Sequence, residues 1–177
     1  PSGLPPHKKL PDGSASASER ADMTDLAVDS LLLPDCASVS RAELKRPGPS
    51  YTVDTLEAIR SENPDAELFL LMGSDMLYDF PRWKLPRKVA SLAKIAAFCR
   101  ACGEDEEPLH RQKEFLERAL AADIRLLHPK QIIDISSTRL RGLLPAGQGA
   151  EFLPCAVYGY ILRCGLYGTR ADLKRLE

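Results

Sequence analysis

The segment Ile135-Ser-Ser-Thr-Arg-Leu-Arg141 holds the densest set of residues able to do chemistry. It follows the extended run Ile132-Ile133-Asp134 and opens a helical pattern that ends near Leu144. Hydroxyl side chains at a helix start cap backbone N–H groups that have no partner inside the helix. The same helix start offers those amides and a partial positive charge to an anion. Thr138 and Arg141 are three apart and share one face of the first turn. Amides, hydroxyls and a guanidinium therefore converge on one spot, which suits phosphate. The plain alternative is a helix cap with a surface arginine. Cys99-Arg-Ala-Cys102 has redox or metal spacing, but it follows a strand pattern and has no second pair, so it is half of a zinc site at most. It reads as structural thiols. His110 and His128 lack a neighbour that would make them catalytic and read as surface or loop histidines.

Helices and strands must position these groups. Residues 14–33 read as a helix with Met23, Leu26, Ala27 and Leu31 on its apolar side, stopped by Pro34-Asp35. Residues 37–41 alternate like a short strand. Pro47-Gly-Pro49 is a turn, Ser50 is placed to cap a helix over 52–61, and Asn63-Pro64-Asp65 closes that helix. Val53, Leu56 and Ile59 form its stripe. Residues 68–72 form a continuous apolar run, expected as a strand buried on both faces and ended by Gly73-Ser74-Asp75. A helix over 81–92 with an irregularity at Pro86, a buried strand over 94–99 and an acidic loop over 104–108 come next. A helix over 109–122 with Phe115, Leu116, Ala119 and Leu120 on one face leads to a strand over 123–127. A helix over 154–166 follows the opening segment, with Val157, Ile161 and Leu162 inside. Strands alternating with helices predict an α/β fold with a parallel sheet covered on both faces. Ligands then gather beyond the C-terminal strand ends, where Gly73, Asp75, Arg100 and residues 136–141 fall.

The 177 residues suit a single domain with a sizeable core. A net charge of -1 gives no sign of a nucleic-acid or membrane surface, and no apolar run approaches a bilayer span. Five cysteines, an odd number, do not resemble a disulfide scaffold. The expectation is a reduced, cytoplasmic protein.

Several segments resemble the bacterial nicotinate-nucleotide adenylyltransferases. They are Pro5-Pro-His-Lys8, Arg20 with Met23 and Leu26-Ala27, Gly48-Pro-Ser-Tyr-Thr-Val-Asp-Thr-Leu56 and Met72-Gly-Ser-Asp-Met76. Phe80-Pro-Arg-Trp83, the segment 135–141, Tyr160-Ile161 and Gly165-Leu-Tyr167 complete the set, in family order over nearly the whole chain. The resemblance implies a Rossmann-like doubly wound parallel sheet, the nucleotidyltransferase fold, with residues 1–177 as one domain of it. It implies transfer of adenylate from ATP to nicotinate mononucleotide, giving nicotinate adenine dinucleotide and pyrophosphate in NAD biosynthesis. Mg²⁺ is expected to travel with the ATP phosphates. ATP and nicotinate mononucleotide are the implied partners, without nucleic acid or membrane, and a homo-oligomer stays open.

By the same resemblance, Ser137, Thr138 and Arg141 bind the triphosphate, and Gly73 and Asp75 approach the ATP backbone and ribose. His7 and Lys8 contact phosphate from a proline-stiffened loop. Arg100 meets the mononucleotide phosphate. Thr52, with Thr55 less so, borders the nicotinate pocket, and Trp83 stacks on the pyridine ring. The structural alternatives stay open: Thr52 and Asp75 as helix caps, Trp83 as core, Arg100 in a surface ion pair. No residue is assigned to catalysis and none to a metal. The family's Gly-x-Phe-Asp-Pro-x-His-x-Gly-His pattern does not occur in these residues. The expectation is therefore a chain lacking a first strand–helix–strand unit of roughly 30 or more residues. It is either part of a complete enzyme or a nucleotide-binding module that does not catalyse. Nicotinamide mononucleotide and phosphopantetheine are the alternative acceptors within the fold.

Overall fold

The computed structural model describes residues 1–3, 13–31, 36–99, 106–129, 133 and 135–170. The chain forms two compact units, residues 51–134 and residues 1–50 with 135–177.

The first of these units is built on a sheet of three parallel strands in the order β1 (Phe69–Gly73), β2 (Lys94–Phe98), β3 (Ile124–Leu127). Leu71 pairs with Ala96 and Ala96 with Arg125, which fixes the faces. Parallel neighbours need long crossovers. The first holds α4 (Ser74–Asp79) and α5 (Pro86–Leu92); the second holds α6 (Glu106–Leu120). Crossovers of one hand along one direction of a sheet put their helices on the same face, and the packing agrees. Met72, Ile95, Ala97 and Ile124 share one core with Leu77, Val89, Leu109 and Leu116, joined by Val53 and Leu56 of α3 (Thr52–Glu62). The opposite face is open at Phe69 and Leu71, which are 47% and 63% exposed. The expectation that 68–72 is buried on both faces is corrected for this reason. Lys94 and Arg125 lie over the Phe69 ring on that face.

Other local differences have local causes. Ser50 does not cap α3, because its hydroxyl accepts the Gly3 N–H at 3.1 Å and Tyr51 holds the cap position without a side-chain bond. Ile59 is on the exposed side of α3. The helix expected over 81–92 is broken. α4 starts directly from the last residue of β1, a 3₁₀ turn covers Phe80–Arg82, and α5 begins at Pro86. A proline disfavours right-handed helix in the residue before it, and Leu85 sits at φ 52°. Of the acidic loop expected over 104–108, residues 106–108 are instead the first turn of α6, where Glu106 and Glu107 complement the helix dipole; residues 104 and 105 lie outside the described residues. In α6 the inward stripe runs through Leu109 and Leu116, and Phe115, one residue off, is 50% exposed.

In the second unit, α1 (Ala17–Asp29) begins with a capping box between Ser16 and Glu19 and packs on α8 (Cys155–Cys164). Ala15, Leu144, Val157, Ile161 and Leu166 form its core. Residues 37–41 form no strand; a short helix α2 (Ala42–Lys45) follows them. Arg41 is drawn instead to α1, pairing with Asp22 at 2.9 Å and with Asp25. Tyr160 of α8 donates to the other Asp22 oxygen at 3.2 Å. Burial, then this bond, pushes the Tyr160 hydroxyl up to about 12, so it stays a donor at neutral pH. Among the described residues no helix is long and apolar enough to cross a membrane.

The Arg41 hydrogen bond holds the Asp22 carboxyl below its ordinary value. A depressed carboxylate stabilises the fold fully above the ordinary pKa of about 4 and loses that contribution as acid protonates it. Asp22→Asn is therefore expected to melt below the parent at pH 7 and to lose less than the parent when the pH falls below about 4. Parallel melting profiles through that range would contradict this. Phe80, fully buried in the first core, is expected to cost about 3–5 kcal/mol when truncated to alanine, measured by urea unfolding.

Candidate nucleotide site

α7 (Ser137–Leu143) is capped by Ser136, whose hydroxyl accepts the Arg139 N–H at 3.1 Å. The cap role thus falls to Ser136 alone. Ser137 and Thr138 keep exposed side chains in the first turn, and among the described residues their hydroxyls have no partner. The half-buried Arg141 forms no ion pair with any described carboxylate. Its guanidinium carbon lies 5.6 Å from the Tyr167 ring centre. The amides of Ser137 and Thr138 also have no partner among the described residues. Two hydroxyls, two such amides and a guanidinium without a described carboxylate on one short turn can bind a polyanion.

In the other unit, Gly73 ends β1 and Asp75 sits in the first turn of α4, at the C-terminal end of the sheet. Gly73 has φ -78°, a conformation open to any residue, so the backbone there does not itself require glycine. It is buried, while Asp75 is exposed. Asp75 lines an open cleft of about 590 Å³ with Tyr78, Arg82, Gln112 and Phe115. The outward Phe115 forms part of its wall.

Thr52 is the first residue of α3. The amides of Asp54 and Thr55 turn back to the Tyr51 carbonyl, which leaves those of Thr52 and Val53 without a described partner. Thr55 is committed inward, its hydroxyl 3.5 Å from the Tyr51 carbonyl. Trp83 is half-buried, its ring set edge-on to Phe80 at 5.3 Å and 68°. Part of the indole is core and the rest faces out. Lys84 ties this turn to α3: its ammonium is 3.3 Å from both Asp54 oxygens and 4.2 Å from the Tyr51 ring centre. α5 reinforces the tie through Lys88 with Glu57. Free helix amides and an aromatic face are thereby brought to the same end of α3, where they can receive a flat ring bearing a carboxylate.

The structure thus groups Ser137, Thr138 and Arg141 on one turn, Gly73 with Asp75 on another, and Thr52 with the Trp83 turn. His7, Lys8 and Arg100 lie outside the described residues, as does Cys102. His110 is exposed, and His128 is an exposed partner of Glu106 at 3.1 Å. Lys84, Tyr51 and Tyr167 were not singled out by sequence reasoning. Each acts on a residue distant in the chain; the Gly48–Leu56 block held Tyr51 and the Gly165–Tyr167 block held Tyr167, while Lys84 stood in no quoted block.

No family model matches the chain. Curated relatives do. The chain is 36% identical to the probable nicotinate-nucleotide adenylyltransferase of Thermomicrobium roseum over 170 residues, 96% of this chain and 76% of that protein. It is 36% identical to the probable nicotinate-nucleotide adenylyltransferase of Aeromonas salmonicida, covering 94% and 80%. The Chlorobium luteolum relative of the same name is 38% identical, over 89% and 76%. In structure, the chain resembles the Plasmodium falciparum nicotinic acid mononucleotide adenylyltransferase complexed with NaAD, at a TM-score of 0.64 over 96% of this chain and 81% of that one. The same protein complexed with APC gives 0.62 over 89% and 79%. At 15% identity these likenesses concern the fold, and they agree with the parallel α/β architecture. With relatives of one name aligned along nearly its whole length, the chain belongs to the nicotinate-nucleotide adenylyltransferase family.

Proposed function

We propose that this chain transfers adenylate from ATP to nicotinate mononucleotide, giving nicotinate adenine dinucleotide and pyrophosphate for NAD biosynthesis in the cytoplasm. The observation that carries this reading is the α7 turn, where exposed hydroxyls, two amides and a guanidinium stand together without a carboxylate partner among the described residues. Family membership supports it. The mononucleotide phosphate oxygen attacks the α-phosphorus of ATP in line; the bond from that phosphorus to the bridging oxygen breaks, and pyrophosphate leaves as an anion. No covalent enzyme intermediate is needed. The protein's part is positioning and charge stabilisation. Ser137, Thr138 and Arg141 hold the triphosphate, and Gly73 and Asp75 face the nucleotide's sugar side. Thr52 and Trp83 receive the pyridine ring. His7, Lys8 and Arg100 retain their phosphate-contacting roles from the resemblance. Mg²⁺ enters with ATP as part of the substrate complex.

Pyrophosphate release from ATP and nicotinate mononucleotide tests the reaction, with nicotinamide mononucleotide and phosphopantetheine as competing acceptors. ATP binding without turnover would point to a nucleotide-binding module, and preference for phosphopantetheine would overturn the acceptor pocket. Arg141→Ala is expected to lower turnover about a hundredfold with little change in melting temperature. A large loss of stability at normal turnover would make the arginine structural. Lys84→Gln is expected to raise KM for nicotinate mononucleotide about twofold, as for a partly exposed pair, with KM for ATP unchanged. An effect on ATP alone would refute the tie between Lys84 and the acceptor pocket.

A further inference from the structure

We propose that Tyr167 is a positioning residue for Arg141, setting the guanidinium in the orientation that receives the triphosphate; this rests on the triphosphate reading of Arg141 above. The guanidinium carbon is 5.6 Å from the ring centre, inside the range of cation–π attraction. Among the described residues Arg141 has no carboxylate partner, so this ring is the group that orients it. The choice of a ring has chemical sense. A carboxylate here would occupy the N–H donors and cancel the charge that a phosphate must meet. An aromatic face restrains the planar cation while leaving its charge uncancelled.

The backbone supplies an independent observation. Tyr167 lies at φ 56°, ψ 32°, a left-handed conformation that a β-carbon disfavours. Its neighbours enforce it. Gly165 at φ 62° ends α8 and Gly168 at φ 76° follows. Thr169, 8% exposed, locks the turn with its hydroxyl 2.8 Å from the Leu166 carbonyl and 3.3 Å from that of Ile161. A third glycine at 167 would relieve the backbone. A tyrosine held there by surroundings that over-determine it points to a use for the side chain.

The test is calorimetric titration of the full chain with MgATP, beside thermal melts, for Tyr167→Phe, Tyr167→Asn, Arg141→Ala and the Arg141/Tyr167 double variant. Tyr167→Phe keeps the ring and should hold the ATP Kd within about twofold of the parent. Tyr167→Asn tolerates the left-handed backbone and should raise that Kd about two- to fivefold, while the melts read separately the packing on the second core that the ring also provides. The double variant should bind no more weakly than Arg141→Ala. Should Tyr167→Asn fail to fold, Tyr167→Leu keeps apolar bulk and backbone strain, removes the π face, and should give the same rise in Kd. An unchanged Kd in the ring-less variants, or an equal loss with and without Arg141, would overturn the positioning role alone. Unchanged ATP affinity in Arg141→Ala would overturn the triphosphate reading and this role with it.

Discussion

Parallel pairing of β1, β2 and β3 is the constraint from which the rest of their unit follows. Each parallel neighbour demands a crossover, and each crossover must return the chain to the start of the next strand. Strand ends of one polarity therefore collect at one edge of the sheet. Gly73 stands at that edge, and α4 leaves it without a connecting residue. The uniform hand of the crossovers then decides burial. It stacks Leu77, Val89, Leu109 and Leu116 on one face and leaves the Phe69–Leu71 face uncovered by these helices.

Within each unit the chemistry is arranged by weaker contacts. Polar tethers do the fine placement: Ser136 takes the cap and frees Ser137 and Thr138; Lys84 draws the Trp83 turn toward α3. Such exposed pairs contribute little to stability. Their value is geometric, because a site that binds a flat ring needs its walls at fixed separation. Trp83 shows how one residue serves both ends, with an edge committed to Phe80 and the remainder open.

Much of this was legible in the sequence where the signal is local. The Ser136 cap, the start of α7, the strands at 94–99 and 123–127 and the core positions Val157 and Ile161 all follow from period and capping chemistry. The failures share a cause as well. Ser50 looks like a helix cap, but Gly3, far away in the chain, claims its hydroxyl. Residues 68–72 look doubly buried because an apolar run does not encode the hand of the crossover that covers it. Tyr167 beside Arg141 is a pairing that no local pattern announces. The resemblance reached the family, which periodicity alone could not.

The left-handed tyrosine at 167 has a consequence for mutational drift. At most positions, a change that relieves backbone strain and a change that preserves binding are independent. At this one they are opposed: the substitutions that suit the backbone, glycine and asparagine, are those that remove the ring. Selection for relief of backbone strain alone would push the position toward residues that cannot hold Arg141. The persistence of an aromatic there across a laboratory lineage would then record selection on nucleotide binding, and its loss would mark a lineage from which that selection had been lifted.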